Sequence, residues 1–235
     1  MRVLIGEIAS GALAEGDRLP REQDLAEQFG VSRGVARECI RSLEERGLIS
    51  VKHGRGATVA PASQWDVFDP DVLAALLAGE RSTEVLLEYI ECRRILEVEA
   101  AGLAAERAGE AALKELADAF AEMTSAAERA RVNPAAEQLY QEADVAFHHA
   151  IVEATGNRAL ARMTLPVHSA LSAIFAPLAR PEHRLERGLP EHQRILDAIR
   201  SGDPEEARNA MRDHLLTIEG YLRGAPKPLG PAVSA

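Results

Sequence analysis

From residue 70 to residue 223 the apolar residues recur three and four apart and never settle into alternation. That period belongs to packed helices and excludes a sheet over two thirds of the chain. The pattern predicts helices over 70–78, 82–108, 110–130, 134–155, 157–178, 182–200 and 204–223, with no convincing strand pair among them. The last has a defined start, with Asp203 as cap, Pro204 at the first position and Glu206 placed to close a capping box. Aromatics are only 4% while Ala, Leu, Glu and Arg abound, which favours helix over a β-sandwich. The tail from Gly224, with three prolines, is expected to fray.

The first sixty residues read differently. They hold nine basic and nine acidic residues, so the whole net charge of −10 falls on the part behind them. Within residues 31–55, Arg33, Arg37, Arg41, Arg46, Lys52 and Arg55 face only Glu38, Glu44 and Glu45. Pro20 can start a first helical turn, Leu25, Ala26 and Phe29 form an apolar face, and Gly30 stops that helix. Ser32 can cap a second helix, whose Ala36, Cys39, Ile40 and Leu43 share one face. Two β-compatible runs follow, Leu48–Val51 and Ala57–Ala60, around the Gly-rich tip 52–56.

Helix, tight turn, Arg-rich helix and hairpin is the plan of a winged helix-turn-helix. The second helix leaves Ser32, Arg33, Gly34, Arg37 and Arg41 facing out. Arg33 and Arg37 lie four apart near the helix start, where a guanidinium can bond guanine O6 and N7. At the wing tip, His53 and Arg55 flank glycines, including Gly54, that let backbone approach a phosphate or the minor groove. An amphipathic surface helix with arginines outside is the plain alternative for those arginines taken alone.

In the helical body, Asp144 and His148 are four apart and project from one face. His192 heads an apolar stripe with Ile195, Leu196 and Ile199; His214 follows Ala207, Ala210 and Met211 on an inward face. One carboxylate and three imidazoles aimed into a bundle suit a divalent metal ion, zinc first, with nickel or manganese as alternatives. A lone core histidine is usually only hydrogen-bonded; four metal-type ligands on three helices argue for more. His149 is rotated away from His148, and His168 and His183 have no partner at useful spacing. Arg93 is a candidate to hold an anionic effector, with an ordinary salt bridge to Glu97 as the alternative. Asn157 reads as a helix cap.

Hydrophobic residues at 46% and charged residues at 27% mark a globular chain. Met1 to Ile8 is too short and too charged for a secretory signal. The longest stretch without a charged residue, Met163 to Ala179, falls short of the ~20 apolar residues of a spanning helix and reads as a buried one. Two cysteines, Cys39 and Cys92, build no disulfide framework, so a reducing cytoplasm and no membrane are expected.

The front of the chain resembles the DNA-binding domain of the GntR family of bacterial transcription regulators. The likeness rests on Leu19-Pro20, Leu25 through Arg33, Arg37-Glu38, Leu43, Gly47-Leu48-Ile49 and Gly54-Arg55-Gly56. It implies that Ser32, Arg33, Gly34, Val35, Arg37, His53 and Gly54 lie at the DNA. Gln23 stands where the family often carries a DNA-contacting arginine, and Gly34-Val35 where threonines are common, so the operator preference is expected to differ. The body resembles the all-helical FCD effector domain of the FadR subfamily. Here the likeness rests on Asp69 through Leu73, Arg93, Leu96-Glu97, Ala104-Ala105, Asp144, Phe147-His148, Gly156-Asn157, His192 and His214. It implies one divalent ion at Asp144, His148, His192 and His214, and a small carboxylate as effector.

The expected architecture is mainly α: a winged helix-turn-helix over 1–60 with its small β-hairpin, a linker over 61–69, an effector, metal and dimerisation bundle of six or seven helices over 70–223, and a tail over 224–235. The expected function is a metabolite-responsive regulator, a repressor binding a palindromic double-stranded DNA operator as a homodimer. A sugar acid or hydroxy acid bound at the metal would control it. A metal-dependent enzyme acting on small organic acids, and an effector-free DNA-binding protein, are the alternatives.

Overall fold

The computed structural model of the chain describes residues 1–52, 56–133, 136–175 and 187–224, and it divides into two compact units, one spanning Met1–Ser82 and one starting at Thr83. The architecture is the expected one: N-terminal helices with a small antiparallel hairpin, then an all-helical bundle.

The first unit opens with α1 (Arg2–Ala9), which the sequence reading missed. Its Leu4, Ile5 and Ile8 are buried, and it packs on α4 (Pro70–Ala78). α2 (Glu22–Phe29) begins later than expected, leaving Pro20 ahead of its first turn, and ends where Gly30 takes the left-handed conformation at φ 63°. The Oγ of Ser32 accepts the N–H of Val35 at 3.3 Å and so caps α3 (Arg33–Glu45), whose Ala36, Ile40 and Leu43 are buried. Gly47 turns the chain at φ 68°, and a Cβ there would stand 1.9 Å from the Gln64 carbonyl oxygen, so only glycine fits. β1 (Ile49–Lys52) then pairs antiparallel with β2 (Gly56–Val59), Ile49 opposite Val59 and Lys52 opposite Gly56. His53, Gly54 and Arg55 lie outside the described residues.

The stretch expected to be a linker is built into this unit. Trp65 packs on the core of Leu25, Leu43, Leu48 and Val59 and donates its indole N–H to the Ala60 carbonyl at 3.1 Å. Asp69 caps α4 and pairs with Arg46 at 2.9 Å. By its contacts α4 goes with this front unit, although the periodicity placed it with the bundle.

Among the described residues six helices make the second unit: α5 (Ser82–Arg107), α6 (Glu110–Val132), α7 (Glu137–Ala154), α8 (Arg158–Phe175), α9 (Leu189–Arg200) and α10 (Pro204–Gly224). With α4 they make seven. α6 packs on α7 and α9, α7 on α8, and α9 on α10. Their apolar stripes close on Phe147, Leu116, Met123, Ile151, Ile195 and Leu196, all fully buried. Asn157 does cap α8, its side-chain oxygen accepting the N–H groups of Ala159 and Leu160. The capping box at α10 forms by half: Asp203 accepts from Glu205 and Glu206, while the Glu206 carboxylate pairs with Arg194 at 2.7 Å instead. The segment expected to be helical before Leu189 lies outside the described residues up to position 186. Among the described residues no helix is long and apolar enough to cross a membrane.

Candidate metal centre and nucleic-acid face

α7, α9 and α10 each deliver one buried imidazole, from His148, His192 and His214, and one ring nitrogen of each falls within 4.8 Å of the others. Asp144, one turn before His148 on α7, joins them. The Nε2 of His192 lies 3.2 Å from the Nε2 of His148 and 3.2 Å from Oδ1 of Asp144. All four residues singled out in the sequence are therefore in one place.

Each imidazole is held from behind. The Nδ1 of His192 lies 2.7 Å from the Gly188 carbonyl oxygen, and that of His214 lies 2.9 Å from Oε2 of Glu191. The Nδ1 of His148 is 2.8 Å from Oε2 of Glu97, off the line of a straight hydrogen bond. A carbonyl or carboxylate at Nδ1 places the proton there and turns the lone pair of Nε2 inward. Three lone pairs and a carboxylate oxygen thus converge without a donor between them, and the Nε2 of His214 is buried with no hydrogen-bond partner. Such a set of acceptors fits a divalent cation.

The charges around the cluster keep it ready for one. Burial, and then the nearby Arg93 guanidinium, push His148 down to about 3, so its ring is neutral at neutral pH. Burial also holds His214 well below the ordinary imidazole value, with His192 adding to it. Burial alone would raise the carboxyl of Asp144, but the close contact with His192, and the neighbouring His148 and Arg93, hold it below the usual carboxylate range. Glu97 is likewise kept ionised against its burial, chiefly by Arg93.

Arg93 is buried and paired with Glu97, Nε to Oε1 at 2.6 Å and a terminal nitrogen to Oε2 at 3.2 Å. The intrahelical salt bridge foreseen as its alternative role exists. Glu97 is also the partner of His168, whose Nε2 lies 2.8 Å from Oε1. Sequence reasoning missed three supports here: Glu97 as a hub, Glu191 behind His214, and His168, which had been left without a role. Glu191 sits next to His192 and carried a faint signal; the pairing of Glu97 with His168 spans 71 residues and carried none.

In the first unit, Ser32, Arg33, Gly34, Val35 and Arg37 are all exposed along the start of α3. Among the described residues neither Arg33 nor Arg37 is paired with a carboxylate, whereas Arg41 is engaged with Glu45 at 3.1 Å.

Known proteins share both halves of this arrangement. The family described as bacterial regulatory proteins, gntR family, matches residues 2–59, and the FCD domain family matches residues 88–217. The galactonate operon transcriptional repressor of Escherichia coli (strain K12) is 33% identical over 205 residues, covering 87% of this chain and 86% of that protein. The HTH-type transcriptional regulator LutR of Bacillus subtilis (strain 168) is 34% identical over 222 residues, covering 92% and 96%. Among solved structures, Lar, which controls expression of the Listeria monocytogenes agr system, superposes with a TM-score of 0.66 at 19% identity over 95% of this chain and 94% of its own.

Proposed function

The chain belongs to the gntR family of bacterial regulatory proteins, with an FCD domain behind its DNA-reading unit, and from that premise we propose a ligand-controlled repressor whose switch is the histidine cluster. Membership makes it a metabolite-responsive transcriptional regulator with a candidate metal and effector site in the helical domain. In the finer reading, two copies bind a palindromic operator as a dimer, each through Ser32, Arg33, Gly34, Val35 and Arg37, with the hairpin tip at His53, Gly54 and Arg55 completing the contact.

Asp144, His148, His192 and His214 would hold one divalent ion, and their three nitrogens and one oxygen suit zinc, then nickel or manganese. The chemistry such an ion supplies is Lewis acidity towards a carboxylate oxygen at positions the four side chains leave open. Glu97, Glu191 and the Gly188 carbonyl fix the tautomers, and Arg93, held by Glu97, is the guanidinium that would meet the anionic effector. A relative that represses a galactonate operon supports a sugar acid or hydroxy acid as the effector. The acid can shift the DNA-binding equilibrium only as far as it binds one conformation better than the other.

The single observation that carries the reading is the convergence of three Nε2 atoms, each backed by an acceptor at Nδ1. Calorimetric titration of galactonate, lactate and glucose into chelated and metal-reloaded full-length protein tests it. The acids, and not the neutral sugar, should bind the reloaded protein alone; equal binding to both forms would remove the ion from the effector site.

A further inference from the structure

The first turn of α3 breaks the local rules of helix stability at each of its three positions. A helix start favours Asp or Glu, whose charge offsets the macrodipole, and Glu at the third position would close a capping box on Ser32. This helix has no acidic residue in its first turn and carries Arg33, Gly34 and Val35 instead. Nothing among the described residues asks for them. A Cβ added at Gly34 would meet only the Ser32 Oγ, at 3.7 Å, an ordinary contact. Val35 is 56% exposed, an apolar, β-branched side chain held out in water at a poor site for it. Local preferences abandoned on an exposed face point to a partner.

The placement says which. Gly34 lies on the side of α3 opposite the buried Ala36, Ile40 and Leu43, between the unpaired guanidiniums of Arg33 and Arg37 on one flank and Val35 on the other. Unpaired arginines and no acid suit a duplex, whose phosphates a carboxylate would repel. A missing side chain at the centre of the face lets the backbone come closer to base edges than any other residue would. At that distance the apolar edge in reach of a valine is the 5-methyl group of thymine.

We propose that Gly34 and Val35 work together as a thymine reader: the glycine admits the α3 backbone to the major groove, and the exposed valine packs on a thymine methyl in each operator half-site. The inference rests on the DNA-binding reading above, and the experiment separates the two. The full chain is used to select binders from a randomised 30-base-pair duplex library, and the preferred duplex is remade with each thymine in turn replaced by uracil, which lacks only the methyl.

One replacement per half-site should weaken wild-type binding about fourfold, as expected for one methyl group left unburied. The same replacement should change nothing in Val35→Ala, which binds thymine and uracil duplexes alike. Gly34→Ala should weaken binding about tenfold or more, the loss of roughly one base contact, while its thermal midpoint stays level or rises. Uracil duplexes that all bind as well as the parent, or a uracil penalty that persists in Val35→Ala, would overturn the methyl contact. Unchanged affinity in Gly34→Ala would overturn the close approach. Failure to select any duplex would instead strike the DNA-binding reading itself.

Discussion

Two carboxylates behind the imidazoles do different work because they are buried to different depths. Glu191 is half-buried, holds Nδ1 of His214 and accepts from the Thr217 hydroxyl at 2.9 Å. Its replacement by alanine frees the His214 ring to turn without leaving a charge stranded. Glu191→Ala should therefore fold normally by circular dichroism and lose about 10- to 100-fold in metal affinity, measured by competition with a chromophoric chelator. Glu97 is fully buried against the buried guanidinium of Arg93. Glu97→Ala strands that guanidinium, and denaturant unfolding should show a loss of about 3–5 kcal/mol. A Glu97→Ala protein as stable as the parent would show that water reaches Arg93. The same contrast explains what was legible beforehand. Asp144 and His148 announce themselves by four-residue spacing, His192 and His214 by polar residues set into apolar stripes. Glu97 and His168 are buried as well, but they meet each other across helices, and no local period encodes that meeting.

Elements were legible to the degree that their own residues stabilise them. The long helices of the bundle showed their stripes, and those of their expected ends that lie among the described residues fell within a few residues of expectation. α1 has only eight residues and one face, Leu4, Ile5 and Ile8, too little to read as a helix without the α4 it packs on. α4, expected with the bundle, clusters with the front unit for the same reason: its apolar residues say that it is buried and not against what. Asp69 now ties it down twice, with Oδ1 accepting the N–H groups of Asp71 and Val72 and Oδ2 meeting Arg46. The two roles can be pulled apart. Asp69→Asn keeps a cap acceptor and loses the ion pair, whereas Asp69→Ala loses both. Thermal or urea unfolding should place Asp69→Ala about 1 kcal/mol below Asp69→Asn. Equal stabilities would mean that the cap contributes nothing at this helix.

On the scale of the molecule, the cluster concentrates groups whose protonation opposes folding, so acid should act on the metal-free protein early. His148 titrates at about 3 when folded and near 6.5 when unfolded, and His214 moves in the same direction. Between those values the unfolded chain binds more protons, so stability falls as the pH falls, beginning near 6.5. Each pH step below that costs roughly 1.4 kcal/mol per histidine, or about 2 kcal/mol from His148 alone by pH 5. Asp144 and Glu97 add to this only lower down. Their carboxyls are depressed in the fold, so the stability they give is present above their unfolded values and goes as the pH drops through the ordinary carboxylate range. Chelated protein should thus show a thermal midpoint that drops steadily from pH 7 to pH 5 and more steeply beneath. Saturating zinc at pH 7 should raise the midpoint, by about 2.7 kcal/mol of stability at a hundredfold excess over Kd. That gain should shrink towards pH 5, because protons compete with the ion for the same Nε2 lone pairs. His192→Ala should remove most of the zinc-dependent gain. A midpoint for the chelated parent that stays flat from pH 7 to pH 5 would mean that the rings of His148 and His214 are not held neutral by the fold.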